Sequence, residues 1–161
     1  MTKVTRLQTA LFERYGSEQA DTPTDLTPEA AFIAVAVANS QLSVTSYGDC
    51  SLLVVNDGRI RFQLPKEATW LGAFSHAGLG NRKAVNEALI FKKVPLLPDD
   101  YIALFTDGLD EWEHDEKSSV QPEEIAALFD GSPAANVVKS LGYLAFSHNA
   151  QDDVSVLVHK A

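Results

Sequence analysis

The triplet Asn56-Asp57-Gly58 constrains this chain more than any other feature. It separates the apolar run SLLVV from the alternating run RIRFQL. A two-residue hairpin loop needs positive φ at its central residues, and Asn, Asp and Gly supply it at least cost. In RIRFQL the apolar residues Ile60, Phe62 and Leu64 alternate with polar ones, which predicts a strand with one buried face. Upstream, QLSVTSY alternates at Leu42 and Val44 and ends on Gly48-Asp49. Successive strand signals joined by tight turns predict an antiparallel meander. The run AAFIAVAVA, residues 30–38, fits two readings. Thr27-Pro28-Glu29 before it resembles a helix start. A short, continuously apolar run closed by Asn39-Ser40 equally suits a strand buried on both faces. The meander beside it favours the strand.

The flanking segments complete an α+β layered domain. Val4, Leu7, Leu11 and Tyr15 recur at helical spacing and Gly16 follows them, so residues 3–15 are expected to be a helix and 17–27 a loop. Residues 65–83, punctuated by Gly72, Ala73, Gly78 and Gly80, read as a loop or flap. A strand is expected near the end of 85–94, then a turn at Pro98-Asp99-Asp100 and a strand over 101–106. After Asp107-Gly108 the period changes. Pro122-Glu123-Glu124 opens a helix, with its acids favourably placed at the positive end of the helix dipole. Ser132-Pro133 opens a second, whose core face carries Val137, Val138, Leu141, Leu144 and Ala145. A turn at 148–151 leads to a last strand, VSVLVH, introduced by Asp152-Asp153.

With 161 residues the chain has room for one domain with a substantial core, and we expect residues 1–161 to form a single unit of that kind. Its net charge of -9 argues against nucleic acid or an anionic membrane as partner, since both are held by clustered Lys and Arg. A lone cysteine, Cys50, excludes an internal disulfide framework and fits a reducing compartment. The first residues are amphipathic rather than signal-like, and no apolar run approaches the ~20 residues that span a bilayer. A cytoplasmic location is therefore expected.

Three acidic positions stand at strand ends: Asp49, Asp107 and the pair Asp152-Asp153. Taken singly, each has a plain reading as a turn or a solvated strand start, as Asp57-Gly58 and Asp130-Gly131 do. Brought together, carboxylates repel unless a positive charge lies between them. A hard divalent cation with oxygen ligands, Mg²⁺ or Mn²⁺, resolves that repulsion. Such ions activate water and clamp phosphoryl oxygens. Cys50 as a nucleophile would need a paired His, and His76, His114, His148 and His159 are scattered along the sequence.

In order, the chain carries SVTSYGDCSLLVVNDGRI, LPDDYIALFTDGLDEW and NAQDDVSVLV. From residue 30 to the end this succession resembles the later motifs of the metal-dependent protein phosphatase family, type 2C, including its bacterial serine/threonine branch. The resemblance implies a type 2C phosphatase-like fold, an α-β-β-α layered β-sandwich flanked by helices, with a metal cleft at one edge. It implies Mn²⁺ or Mg²⁺ as cofactor, and hydrolysis of phosphoserine or phosphothreonine by a metal-activated water without a phosphoenzyme. Asp107 matches the metal-binding Asp of the Thr-Asp-Gly motif. Asp152 matches the ligand of the terminal Asp-Asn or Asp-Asp motif, with Asp153 beside it. Asp49 matches the Gly-Asp position that contacts metal-bound water or a third metal in bacterial members. Residues 65–83 correspond to part of a flap.

The chain departs from that family in its first third. The 48 residues before Asp49 contain no Asp-Gly to bridge the metals, and Arg6 and Arg14 fall on the expected helix rather than a matching strand. Cys50 replaces the usual Ser and Ser51 the common Arg. These departures imply a sandwich lacking its opening strands and an open sheet edge, which favours self-association or docking of a separate segment. Two functions follow: a Mn²⁺/Mg²⁺-dependent phosphoprotein phosphatase whose partner is a phosphorylated protein or a kinase, or a catalytically inactive phosphatase-like binding or regulatory module.

Overall fold

The strands of the expected meander form, but not as one sheet: residues 41–47 and 51–56 lie in different sheets, the chain leaving one for the other at Gly48, φ 95°, and of the strands over 41–63 only those joined by the hairpin at Asp57-Gly58 are neighbours as expected. In the computed structural model, which describes residues 29–65, 71–72, 89–110, 120–148, 150 and 153–161, strand β4 (Ser51–Asn56) folds back on β5 (Arg59–Gln63). Asp57 and Gly58 both take left-handed backbone, at φ 48° and 67°, as a tight hairpin of this kind demands. Upstream, β2 (Phe32–Ala38) turns through Asn39 and Ser40, at φ 52° and 53°, into β3 (Gln41–Tyr47). Two residues at 29–30 form β1 (Glu29–Ala30), which pairs antiparallel with β6 (Leu71–Gly72). This pairing places a short strand inside a stretch that reads as loop. A Leu-Gly pair carries too little pattern to announce a strand, and only its partner creates one. The later strands are β7 (Ile90–Pro95), β8 (Tyr101–Phe105) and β9 (Val156–Lys160). Two helices, α1 (Pro122–Ala127) and α2 (Ala134–Ser147), lie between β8 and β9 in the chain. The expected helix at 3–15 and most of the expected flap lie outside the described residues.

Strands β2, β3 and β7 form one sheet in that order, and β5, β4, β8 and β9 form another. The chain divides into two compact units. One comprises Met1–Ala36, Ser43–Asp49 and Lys66–Lys93; the other comprises Val37–Leu42, Cys50–Pro65 and Val94–Ala161. Within the first, Val44, Ser46 and Tyr47 are buried and the Phe32 and Tyr47 rings stack at 6.4 Å. Strand β2 differs from the doubly buried strand its composition suggests. Residues 34–38 are exposed, with Val35 at 38% and Val37 at 44%. The cause is position: β2 is an outer strand of its sheet, and continuous apolar composition marks a buried strand only where neighbours cover it.

The second unit holds the four-stranded sheet and the two α-helices among the described residues. β4 is one of the sheet's two inner strands, with β8, and is buried along Ser51 to Val55, which is why SLLVV has no polar alternation. Leu53, Val55, Tyr101, Ala103 and Phe105 on one face meet Ile125, Ala126 and Phe129 around α1 and Val137, Leu141 and Ala145 of α2. Val156 and Val158 of β9 pack against this cluster. Val138, expected on the core face of α2, is instead exposed, since it lies one step beyond the Val137-Leu141-Ala145 stripe. Pro122 opens α1, and the Gln121 N–H donates to Glu124 Oε2 at 2.8 Å. The hairpin tip is fastened as well: the Gly58 N–H donates to the Phe129 carbonyl at 3.0 Å.

The turn before β8 does more than reverse the chain. Asp100 is wholly buried, and its carboxylate accepts from Asn56 Nδ2 at 2.8 Å and from the Leu97 N–H at 2.7 Å, and pairs with the Arg61 guanidinium. Asp99 takes the left-handed position, at φ 66°, and its carboxylate holds Lys160 Nζ at 2.8 Å.

Candidate functional site

Asp107 stands at the end of β8 because the strand stops there. Antiparallel pairing of β8 with β9 runs from Tyr101↔Lys160 to Phe105↔Val156, and the ladder closes one step further, where the Thr106 N–H donates to Ser155 O at 3.1 Å. Beyond that point the chain enters a 3-10 turn, Asp107–Leu109. Leu109 N–H donates to Thr106 O at 3.2 Å and Asp110 N–H to Asp107 O at 2.9 Å. Gly108 and Leu109 are buried, while Asp107 and Asp110 remain partly exposed. The Gly108 N–H donates to Asp107 Oδ1 at 3.0 Å, fixing the carboxylate over its own turn.

The register brings the start of the last strand to the same place. Thr106 Oγ1 donates to Asp153 O at 3.0 Å and accepts from the Ser155 N–H at 3.0 Å. One hydroxyl therefore ties the Thr-Asp-Gly segment to the segment that follows Asp152. Asp152 itself lies outside the described residues. Its neighbour Asp153 is exposed and sits beside Thr106. Asp49 belongs to the other compact unit, two residues before Ser51, whose register partner is Phe105. The structure thus draws Asp107 and the Asp153 segment together at one end of β8 and β9.

Motif reading gave Ser51 only as a departure from the family's Arg and gave Asp110 no role in the site; it did not pair them. Ser51, 5% exposed at the start of β4, donates through Oγ to Asp110 Oδ2 at 2.8 Å. Nothing in the acidic run after Asp107 distinguishes Asp110 from its neighbours. The signal is the register of β4 against β8, which a single sequence does not print.

Among the described residues, no group of three or more His, Cys, Asp or Glu side chains is gathered to hold a metal ion. The Asp107 carboxylate that this strand end offers is an oxygen donor, and that chemistry fits Mg²⁺ or Mn²⁺ rather than a thiolate- or imidazole-seeking ion. The described histidines stand elsewhere. His148 Nε2 lies 3.6 Å from Glu124 Oε1 at the end of α2, and His159 pairs in register with Ile102, toward the other end of β8. Cys50 is half-buried and outside any disulfide.

No helix among the described residues is long and apolar enough to cross a membrane. Comparison with curated protein sequences finds no match. Solved structures share the fold. A bacterial serine phosphatase superposes with a TM-score of 0.73 at 15% identity, covering 98% of this chain and 66% of its own. PppA, a regulatory component of the type VI secretion system in Pseudomonas aeruginosa, gives 0.71 at 16% identity, covering 98% and 67%. The Mycobacterium tuberculosis serine/threonine phosphatase PstP gives 0.63 at 18% identity, covering 94% and 66%. The chain thus spans about two thirds of the length of these structures, and the expected type 2C phosphatase-like fold is the one it has. The profile of the stage II sporulation protein E (SpoIIE) family matches residues 4–161, and this chain belongs to that family.

Proposed function

We propose that residues 1–161 are a single, partial phosphatase-like domain that hydrolyses phosphoserine or phosphothreonine in a protein partner, with Mn²⁺ or Mg²⁺ as cofactor. Asp107 and Asp152 are the ligands in this reading, Asp153 adjoins them, and Asp49 approaches a further ion or its water. The observation that carries it is the closing of the β8–β9 ladder at Thr106, which sets Asp107 beside the Asp153 segment. Carboxylates brought together at two strand ends would repel one another, and a cation between them would relieve that repulsion. A divalent ion there supplies charge neutralisation at phosphoryl oxygens and a lowered water pKa. The chain's own part is to hold the carboxylates: the Gly108 N–H orients Asp107, and Thr106 fixes the spacing to the last strand.

The partner is a phosphorylated protein or a kinase, and the setting cytoplasmic. Outer strands β5 and β9 leave backbone edges that suit self-association. The experiment is hydrolysis of p-nitrophenyl phosphate and of a phosphothreonine peptide with Mn²⁺, compared with Asp107→Ala. Turnover that needs Mn²⁺ and is lost in the variant supports the proposal. Binding of phosphoprotein without turnover above the variant's background replaces it with the inactive binding module.

A further inference from the structure

The Asp107 turn is held from two sides. On one, Thr106 spends its hydroxyl on Asp153 O and the Ser155 N–H, and makes no side-chain cap for the turn. On the other, Ser51 donates to Asp110 Oδ2. A lone 3-10 turn has poorer hydrogen-bond geometry than an α-helix and is short-lived without outside support. The Ser51 contact closes a circuit. Ser51 pairs with Phe105 across β4 and β8, the chain runs from Phe105 through Asp107 to Asp110, and Asp110 returns to Ser51. Asp107 lies inside that circuit, so its position is set by a buried strand end rather than by the turn alone.

We propose that Asp110 is a positioning residue: through Ser51 Oγ it fixes the turn that presents the Asp107 carboxylate to a divalent cation, and it is not itself a ligand. This rests on the reading of Asp107 as a ligand. Its chemical signature is that the latch needs an acceptor at residue 110 and no charge. An asparagine there still offers a carbonyl oxygen to the Ser51 hydroxyl, whereas a ligand role requires the carboxylate.

The test titrates Mn²⁺ calorimetrically into the wild-type chain and into Ser51→Ala, Asp110→Ala, Asp110→Asn and Asp107→Ala, with amide hydrogen exchange at Leu109 and Asp110 measured on the same samples. Loss of an outer partner of a metal ligand typically weakens binding ~10–100-fold, so Ser51→Ala and Asp110→Ala are expected to bind at least about 10-fold more weakly. Both should exchange faster at Leu109 and Asp110, while Asp110→Asn stays within about 2-fold of wild type because the acceptor remains. Asp110→Asn as weak as Asp110→Ala overturns the proposal by making the charge essential. So does Ser51→Ala with unchanged affinity and exchange. Mn²⁺ binding that survives Asp107→Ala overturns the metal reading itself and the latch's role with it, a result separable from the others because it appears in a different variant.

Discussion

Asp100 offers the sharpest test of how this fold is held. Replacing it by alanine removes a wholly buried carboxylate that accepts from Asn56 and from the Leu97 N–H and faces the Arg61 guanidinium. Each hydrogen bond to a charged group contributes about 1.5–3 kcal/mol. The three contributions do not simply add. Asn56 Nδ2 keeps a second acceptor, Pro98 O at 3.1 Å, and the Arg61 side chain, 28% exposed, turns toward water. The Leu97 N–H loses its Asp100 acceptor. Three lost bonds of that size, discounted for these two reliefs, lead us to expect about 3–5 kcal/mol for Asp100→Ala, a large part of the ~5–15 kcal/mol that stabilises a domain. Arg61→Ala should cost less, about 1.5–3 kcal/mol, because Asp100 keeps its two neutral donors. Urea unfolding followed by circular dichroism, in EDTA so that no ion contributes, reads both values and the double variant. An Asp100→Ala cost below about 1.5 kcal/mol, or Arg61→Ala as damaging as Asp100→Ala, would refute the view that the carboxylate organises this corner.

Two further outcomes follow from local geometry. Gly58→Ala meets only ordinary contacts, with Ala126 O at 3.8 Å from the new Cβ, so its cost is that of a left-handed backbone at φ 67°, about 1–2 kcal/mol in the same urea assay. Asp130 accepts from the Ser132 hydroxyl at 2.7 Å and from the Ser132 N–H, and these bonds hold its carboxyl below the usual range. A depressed folded value means that the contribution is present above the unfolded pKa and is lost as pH falls through the folded one. A carbon-detected titration should show the Asp130 midpoint rising in Ser132→Ala; an unmoved midpoint rejects the assignment.

The hairpin at Asp57-Gly58 was legible because turn chemistry at 56–58 is followed by period-two alternation over residues 59–64. The helices were legible from Pro122 and Pro133 and from the Val137-Leu141-Ala145 stripe. What escaped reading depends on partners remote in sequence. Asp100 looks like any turn acid until the register places Arg61 and Asn56 beside it, 39 and 44 residues away. Ser51 and Asp110, 59 residues apart, are hidden for the same reason. Exposure of β2 was illegible because burial belongs to the sheet and not to the strand. The carboxylate at Asp107 could be picked out through motif order, while its orientation by the Gly108 N–H required coordinates.

The bond from Gly58 to the Phe129 carbonyl has a consequence for how the molecule is made. The hairpin tip leaves the ribosome long before the residue that fastens it, and the Leu53 and Val55 side chains emerge before the helices that will cover them. At ~5–20 residues per second, the stretch from Gly58 to Phe129 takes roughly 4–14 s to synthesise. For that interval the apolar face of the young hairpin lacks its helical cover, and surface of that kind is prone to aggregation until the helices emerge.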